Sequence, residues 1–296
     1  MLWVVSGTGT GVGKTAVAVA LVRALARTGS LVAGWKPLET GVPDGVGAAG
    51  PAHRPTWPTC HPEAPRCHPE QSEGSPWVSQ VQRTEAARLL SARHCSLLMV
   101  DPSASPQDDS GGAQDDRLDD ALVLLGPDQR ALLAESTFHV KRDAHRTFPL
   151  PASPHLAARE AGVRLTLDPI IALANELRLN CSVVLELAGG LFTPLTDDLL
   201  NVDLVMALAP DRHIMVAPDR LGVLHDAIAA TTAATARGSS AAPDALLVNQ
   251  CTPSGANLNN TMELRRYVAL PVFGPLGYGD VDLRADQLAS MFAAFI

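Results

Sequence analysis

Short apolar runs alternate along this chain with longer stretches in which apolar residues recur every three or four positions. The apolar runs are predicted to be buried strands, and they lie at residues 1–5, 31–35, 182–186, 213–217, 245–249 and 270–274. Helical spacing is found at residues 14–28, 119–125, 154–161, 167–179 and after 221–222. Strands and helices that alternate in this way predict an α/β fold with a doubly wound, mostly parallel sheet flanked by helices.

The first strand runs into a glycine-rich turn, because residues 4–16 read VVSGTGTGVGKTA. Glycines let backbone N–H groups converge on phosphate oxygens at the start of a helix. Lys14 can then reach the terminal phosphates, and the Thr15 hydroxyl can hold a magnesium ion. Thr8 stands where the common motif has its first glycine, and Gly7 lies one residue further back. We interpret the segment as a phosphate-binding loop of a P-loop NTPase-like fold, in preference to a turn that binds no nucleotide.

The periodic pattern breaks between residues 43 and 113, where Pro, Gly, Ser and His dominate. This stretch carries the tetrapeptide CHPE twice, at 60–63 and 67–70, and a possible helix near 82–93. We expect residues 43–113 to be a low-order insertion within a single P-loop ATPase-like domain that spans 1–296. A metal site at the two Cys-His pairs is the less favoured alternative, because adjacent Cys and His do not match the usual zinc-ligand spacing.

Composition and charge exclude several classes of function. Of the 296 residues 46% are hydrophobic, which is enough for a substantial core, and the net charge is -8. No basic stripe stands out, so nucleic acid is not expected as the main partner. No apolar run reaches the length that spans a membrane. The five cysteines are scattered, which is typical of a reducing compartment, and we expect a cytoplasmic protein.

Four segments resemble, in the same order, motifs of the dethiobiotin synthetase family. They are GTGTGVGKT at 7–15, KPLETG at 36–41, PASPH at 151–155 and ELAGGLFTPL at 186–195. The first is similar to the family's Gly-Thr-Asp-Thr-x-x-Gly-Lys-Thr, including its five-residue gap. Each motif alone is moderately specific, and the four together are a strong resemblance that covers nearly the whole chain apart from the insertion.

The resemblance implies an ATP-dependent cyclo-ligase of biotin biosynthesis. Such an enzyme carboxylates 7,8-diaminononanoate with CO2 and closes a ring, giving dethiobiotin, ADP and phosphate, with Mg2+ as cofactor. An amine first takes up CO2 as a carbamate, ATP then phosphorylates the carbamate, and the second amine expels phosphate. A homodimer is also implied, because in the family the helix that follows Leu221-Gly222 in this chain offers its positive N-terminal end to the substrate carboxylate of the neighbouring subunit.

The resemblance also assigns roles to individual residues. Lys36 and Lys14 are expected to be catalytic, Thr40 to bind the substrate, and Thr15 to be one of the metal ligands. The metal ligands expected from the resemblance are Thr15, Asp120 and Glu186, with Asp119 as the alternative to Asp120. The residues expected to contact the nucleotide are Gly11, Val12, Gly13, Lys14, Thr15, Ala16, Asp120, Glu186, Leu187, Ala188, Gly189, Asn249 and Gln250. From the residues alone, the acidic stretch at 115–120 fits a solvated helix face with one N-cap equally well.

Three positions depart from the family pattern. Gly9 stands where the family loop has an aspartate, Leu187 where the family has a glycine, and Gln250 where the family has an aspartate after Asn249. We expect a lost polar contact at the first, crowding of the nucleotide pocket at the second and altered base recognition at the third. A low-activity copy therefore stays open as an alternative. So does another P-loop ATPase, either amidoligase-like or a partitioning-type switch, although an amidoligase would need a glutamine-hydrolysing domain.

Overall fold

The central sheet has six strands, every neighbouring pair of which is parallel. The computed structural model describes residues 1–42, 125–141, 144–253 and 258–293, and all strands and helices below lie in those ranges. The strands are β1 (Leu2–Gly7), β2 (Val32–Trp35), β3 (Leu38–Thr40), β4 (Arg146–Phe148), β5 (Ser182–Glu186), β6 (Arg212–Pro218), β7 (Ala245–Asn249) and β8 (Val272–Leu276). The order in the sheet is β2-β5-β1-β6-β7-β8, which confirms the predicted doubly wound α/β fold.

Helices cover both faces of this sheet. They are α1 (Lys14–Ala26), α2 (Pro127–Glu135), α3 (Pro154–Glu160), α4 (Asp168–Leu177), α5 (Asn201–Leu208), α6 (Val223–Ala236), α7 (Asn260–Tyr267) and α8 (Val281–Met291). Apolar side chains of α1, α2 and α8 pack with Trp3 and Val5 on one face. Those of α3 to α7 pack with Leu2 and Val4 on the other. Successive β1 side chains therefore enter opposite cores, which is why this strand reads as a continuous apolar run.

The register of the central strands brings three strand ends to one edge of the sheet. Strand β1 lies between β5 and β6, with Val5 opposite Glu186 on one side and Ser6 opposite Met215 on the other. The loop that follows β1 and the residues after β5 therefore emerge side by side, and those after β7 emerge at the same edge, with β6 between β7 and β1. In open parallel sheets this carboxyl edge is where ligands bind.

The sequence pattern missed part of the architecture. Strands β3 and β4 form a separate two-stranded parallel sheet, with Leu38 opposite Arg146. A helix was predicted at 119–125, of which only Leu125 is described, whereas the structure has α2 at Pro127–Glu135. Proline is well suited to the first helical position, since its missing N–H is not needed there.

Several other predictions fall outside the part of the chain that the structure describes. They are the insertion at 43–113, its possible helix near 82–93 and the two Cys-His pairs. Within the described ranges, no helix combines the length and the apolar character that a membrane span needs.

Candidate nucleotide site

The glycine-rich turn after β1 opens helix α1, as predicted. Gly13 is the N-cap of α1 and has φ 85°, and Gly11 has φ 72°, both in the left-handed region that favours glycine. A Cβ at Gly13 would lie only 2.1 Å from Asn249 Nδ2, whereas a Cβ at Gly9 would meet nothing within 4 Å. Glycine is therefore required at Gly13, while the departure from the family pattern at Gly9 faces open space.

A cavity of about 450 Å³ lies at the carboxyl edge of the sheet beside this turn. Its lining residues are Thr10, Gly11, Gly13, Lys14, Thr15, Ala16, Lys36, Glu39, Thr40, Asp128, Glu186, Ala188, Gly189, Asn249, Gln250, Cys251, Tyr278 and Arg284. We call the part formed by Lys14, Thr15, Lys36, Asp128 and Glu186 the phosphate end. The part formed by Asn249, Gln250, Cys251, Tyr278 and Arg284 is called the nucleoside end.

Glu186 organises the phosphate end. It is the last residue of β5, and its side chain is 1% exposed. Lys36 Nζ lies 2.9 Å from Glu186 Oε1 and also donates to Asp128 Oδ2. The Thr15 hydroxyl donates to Glu186 Oε1 at 2.9 Å. The second carboxylate oxygen, Oε2, is buried and has no hydrogen-bond partner among the described residues.

The two lysines of the phosphate end are in different electrostatic situations. Burial acts to lower the pKa of Lys36, but the Glu186 and Asp128 carboxylates outweigh it and leave the pKa above its ordinary value. Burial lowers the pKa of Lys14 to about 8, and Glu186 only partly offsets this effect. Lys14 Nζ donates to the Gly9 carbonyl at 3.0 Å. Lys36 is therefore a permanent cation, whereas Lys14 needs an anion to hold its charge above neutral pH.

The oxygens of the phosphate end fit a magnesium ion. Thr15 contributes a hydroxyl, Asp128 a carboxylate, and Glu186 a carboxylate oxygen that is buried without a partner in the described part of the chain. These are the hard oxygen ligands that Mg2+ prefers, and Mg2+ usually completes its shell with water and substrate phosphates. Among the described residues, no group of three or more His, Cys, Asp or Glu could hold a metal by itself.

The sequence analysis does not predict Asp128 as a site residue. The carboxylate was expected at Asp120 or Asp119, and both lie outside the described residues. Asp128 is in the first turn of α2, and its backbone N–H donates to Glu39 Oε1 at 3.0 Å. The Gly126-Pro127-Asp128 helix start was the available signal, since proline and an acidic residue favour a helix N-terminus.

Glu39 holds helix α2 in place. Its two carboxylate oxygens accept from the backbone N–H groups of Asp128 and Gln129, each at 3.0 Å. Burial raises the pKa of Glu39, and these two hydrogen bonds oppose the effect. A carboxylate that accepts the free N–H groups of a helix start is a stabilising arrangement. Glu39 thereby ties the motif at 36–41 to the helix that carries Asp128.

At the nucleoside end, Asn249 is bonded to other protein groups. Its Nδ2 donates to the Val12 carbonyl at 3.0 Å, and its Oδ1 accepts from the Arg284 guanidinium. Gln250 Oε1 accepts from the Tyr278 backbone N–H at 3.3 Å. The sequence pattern does not predict Arg284 and Tyr278 as site residues, because it predicts no element after the strand at 270–274 and therefore does not include α8.

Most of the predicted contact residues are brought together. Twelve of the predicted positions line the cavity: Gly11, Gly13, Lys14, Thr15, Ala16, Lys36, Thr40, Glu186, Ala188, Gly189, Asn249 and Gln250. Val12 and Leu187 do not line it, because their side chains are buried in the apolar clusters on opposite faces of the sheet. The expectation that Leu187 crowds the pocket is therefore wrong. The individual roles of these residues stay predictions.

Comparison with known proteins places this site in a family context. A family model described as "AAA domain" matches residues 3–84 and 129–281. The chain is 39% identical over 127 residues to the ATP-dependent dethiobiotin synthetase BioD of Ralstonia nicotianae, covering 43% of this chain and 55% of that protein. The same enzyme of Rhodopirellula baltica is 36% identical over 134 residues, which cover 40% of this chain and 50% of that protein.

A longer alignment covers most of both chains. The ATP-dependent dethiobiotin synthetase BioD of Nitrosospira multiformis is 26% identical over 291 residues, which cover 97% of this chain and 92% of that protein. The chain thus spans about half the length of the first two relatives and nearly all of the third. The resemblance inferred from the four motifs is confirmed.

Proposed function

The chain belongs to the AAA domain family, and within that family we propose that it is an ATP-dependent dethiobiotin synthetase. In the reaction, one amine of 7,8-diaminononanoate forms an N–C bond to CO2 and loses a proton, giving a carbamate. A carbamate oxygen then bonds to the γ-phosphorus of ATP while the bond to the β-phosphate oxygen breaks and ADP leaves. The second amine attacks the carbamate carbon, the C–O bond to phosphate breaks, and the ring closes. The proton of this amine leaves with the phosphate or passes to water.

The observation that carries the proposal is the position of Lys36. A phosphate-binding loop needs only its own lysine, Lys14, to hold a nucleotide. Here a second lysine, from the end of a neighbouring strand, is buried in the same cavity and kept charged by Glu186 and Asp128. A fixed cation in the phosphate end is suited to binding a carbamate and the phosphoryl group that is transferred to this carbamate. Phosphoryl transfer depends on positioning and charge stabilisation.

The remaining roles follow from the chemistry of each side chain. Residues 11–16 would bind the phosphates through backbone N–H groups at the start of α1, and Lys14 would neutralise charge on the transferred group. Thr15, Glu186 and Asp128 would hold Mg2+, which when bound neutralises charge on the nucleotide phosphates. In this proposal Asp128 is the third metal ligand, in place of Asp120, which the family resemblance predicts. Thr40, beside Glu39 on the cavity wall, would hydrogen-bond the diamine.

Two further parts of the proposal come from the sequence and not from the geometry of the site. One is a homodimer, in which the helix after Leu221-Gly222 serves the neighbouring subunit, and it follows from the family pattern. The other is a cytoplasmic location, which follows from the scattered cysteines. Helix α6 begins at Val223 with Gly222 as its N-cap, so the helix expected for this role is present. The amidoligase-like and partitioning-type alternatives are not favoured, since the relatives carry the dethiobiotin synthetase name.

The test is ATP hydrolysis by the purified chain with Mg2+ and bicarbonate, with and without 7,8-diaminononanoate. We expect phosphate release that depends on the diamine, with dethiobiotin formed in equal amount. Phosphate release that is indifferent to the diamine would indicate another P-loop activity. Binding of ADP without any turnover would indicate the low-activity copy.

A further inference from the structure

Arg284 is a buried cation at the nucleoside end with few hydrogen-bond acceptors. It projects from α8, is 4% exposed and lines the cavity. One of its terminal nitrogens donates to Asn249 Oδ1, whereas its Nε has no acceptor, and no carboxylate of the described residues lies within ion-pair distance of it. A guanidinium carries five N–H donors, and a buried charge is normally paired. A ligand that offers acceptors would complete this site.

The amide oxygens of Asn249 and Gln250 are already engaged. Asn249 Oδ1 accepts from Arg284, and Gln250 Oε1 accepts from the Tyr278 backbone N–H. Because the second bond needs an oxygen, the hydrogen-bonding group that Gln250 has left is its NH2 donor. Arg284 and the two amides therefore offer a base mainly donors.

The position of the site along the cavity determines which part of a ligand it meets. A triphosphate bound on residues 11–16 with its terminal phosphate toward Lys36 directs the nucleoside away from Lys36, toward Asn249 and Arg284. Adenine carries an amino donor at its 6-position, which needs an acceptor from the protein. Guanine and hypoxanthine carry an oxo acceptor there, next to the N7 acceptor, and arginine is the side chain that most commonly binds this pair of acceptors.

We propose that Arg284 determines base specificity and that this chain accepts purine nucleotides with a 6-oxo group, GTP and ITP, at least as well as ATP. The inference rests on the proposed function only in taking the cavity as a nucleotide site. The guanidinium binds the acceptor edge formed by O6 and N7, and it keeps its bond to Asn249 through a different N–H. The departure at Gln250 from the family aspartate acts in the same direction, because it replaces an acceptor by an amide whose oxygen is engaged by Tyr278.

The test compares IDP with ADP, which differ at the base in the group at position 6, oxo or amino, and in N1, which is a donor in hypoxanthine and an acceptor in adenine. Calorimetric dissociation constants are measured on the full chain with Mg2+, for the wild type, Arg284→Met and Arg266→Met. We expect the wild type to bind IDP at least as tightly as ADP. Arg284→Met is expected to weaken the binding of IDP about tenfold relative to the binding of ADP, which is the scale of one lost arginine–base contact. Arg266→Met removes an exposed arginine that pairs with Glu263 on the surface, and it is expected to leave the ratio unchanged.

Each outcome either supports or overturns the inference. Wild-type ADP binding that is tighter than IDP binding overturns it, and so does a ratio that Arg284→Met leaves unaltered. If Arg284→Met does not fold, Arg284→Lys replaces it; a point charge without the planar fork should also lower the preference for IDP. A chain that prefers IDP but forms no dethiobiotin overturns the proposed function alone. A wild type that binds neither diphosphate overturns both proposals.

Discussion

The two ends of the cavity are built from different kinds of interaction. At the phosphate end, Lys36 is paired with Glu186 and Asp128, and Thr15 donates to the same glutamate. At the nucleoside end, Arg284 has an amide oxygen as its acceptor and no carboxylate among the described residues. The proposed chemistry constrains the contacts at the two ends differently. Charge shifts on the phosphates during transfer, so those contacts act on the transition state, whereas the base is unchanged and its contacts affect binding alone.

The largest effect is expected at Lys36. Lys36→Ala should lower the turnover number for dethiobiotin formation by about 100-fold or more, the scale of a lost electrostatic contact to the transition state. Lys14→Ala should cause a loss of similar size. Lys36→Ala should also melt at a lower temperature, because Glu186 would stay buried without its cation. Arg266→Ala, which removes an exposed arginine that pairs with Glu263 on the surface, is the control in both measurements. Near-normal turnover of Lys36→Ala would remove that residue from the mechanism.

The loop that joins the two ends should be sensitive at Gly13 and tolerant at Gly9. Gly13→Ala forces a side chain into a left-handed conformation and against Asn249 Nδ2. We expect its dissociation constant for ADP to rise by about 30-fold, from strain and a lost hydrogen bond of about 2 kcal/mol together. Gly9→Ala should stay within about twofold of the wild type, since its Cβ faces open space. Equal losses in the two variants would contradict the described geometry of the loop.

The position of the acidic residue at the phosphate end can be decided by two substitutions. Asp128→Asn should raise the Mg2+ concentration needed for half-maximal turnover by about tenfold or more, as the loss of a group that orients a metal does. Asp120→Asn is the matched variant for the alternative suggested by the sequence, and its effect should be smaller. A larger effect at Asp120 would return the metal site to that residue.

The smallest effect concerns pH and Lys14. The protonated lysine binds phosphate, and its pKa in the free protein is about 8. Between pH 7 and 8.5 the protonated fraction of Lys14 falls about fourfold. ADP affinity should fall by up to the same factor, because at higher pH binding requires the uptake of a proton. Calorimetry in buffers of different ionisation enthalpy measures both quantities. Lys14→Arg keeps its charge throughout this range and should show a flatter profile; an equally steep one would assign the titration to another group.

The elements that depend on local information can be predicted from the amino-acid sequence alone. Parallel strands buried on both faces read as apolar runs, and the glycine-rich turn followed by Gly-Lys-Thr can be recognised without tertiary structure. That Lys36 and Glu186 lie at one site could also be predicted. Each stands at the end of a strand, and the carboxyl ends of parallel strands meet at one edge of the sheet.

Which distant groups complete the site depends on how the elements pack against one another. Asp128 enters it because Glu39, far from it along the chain, binds the start of α2. Arg284 enters because α8 packs beside α1 and directs the arginine to Asn249. Leu187 leaves the cavity because its side chain packs into the core. Periodicity reports which face of an element is apolar, but the partner of a polar side chain depends on how separate elements pack, and a local pattern contains no information about that.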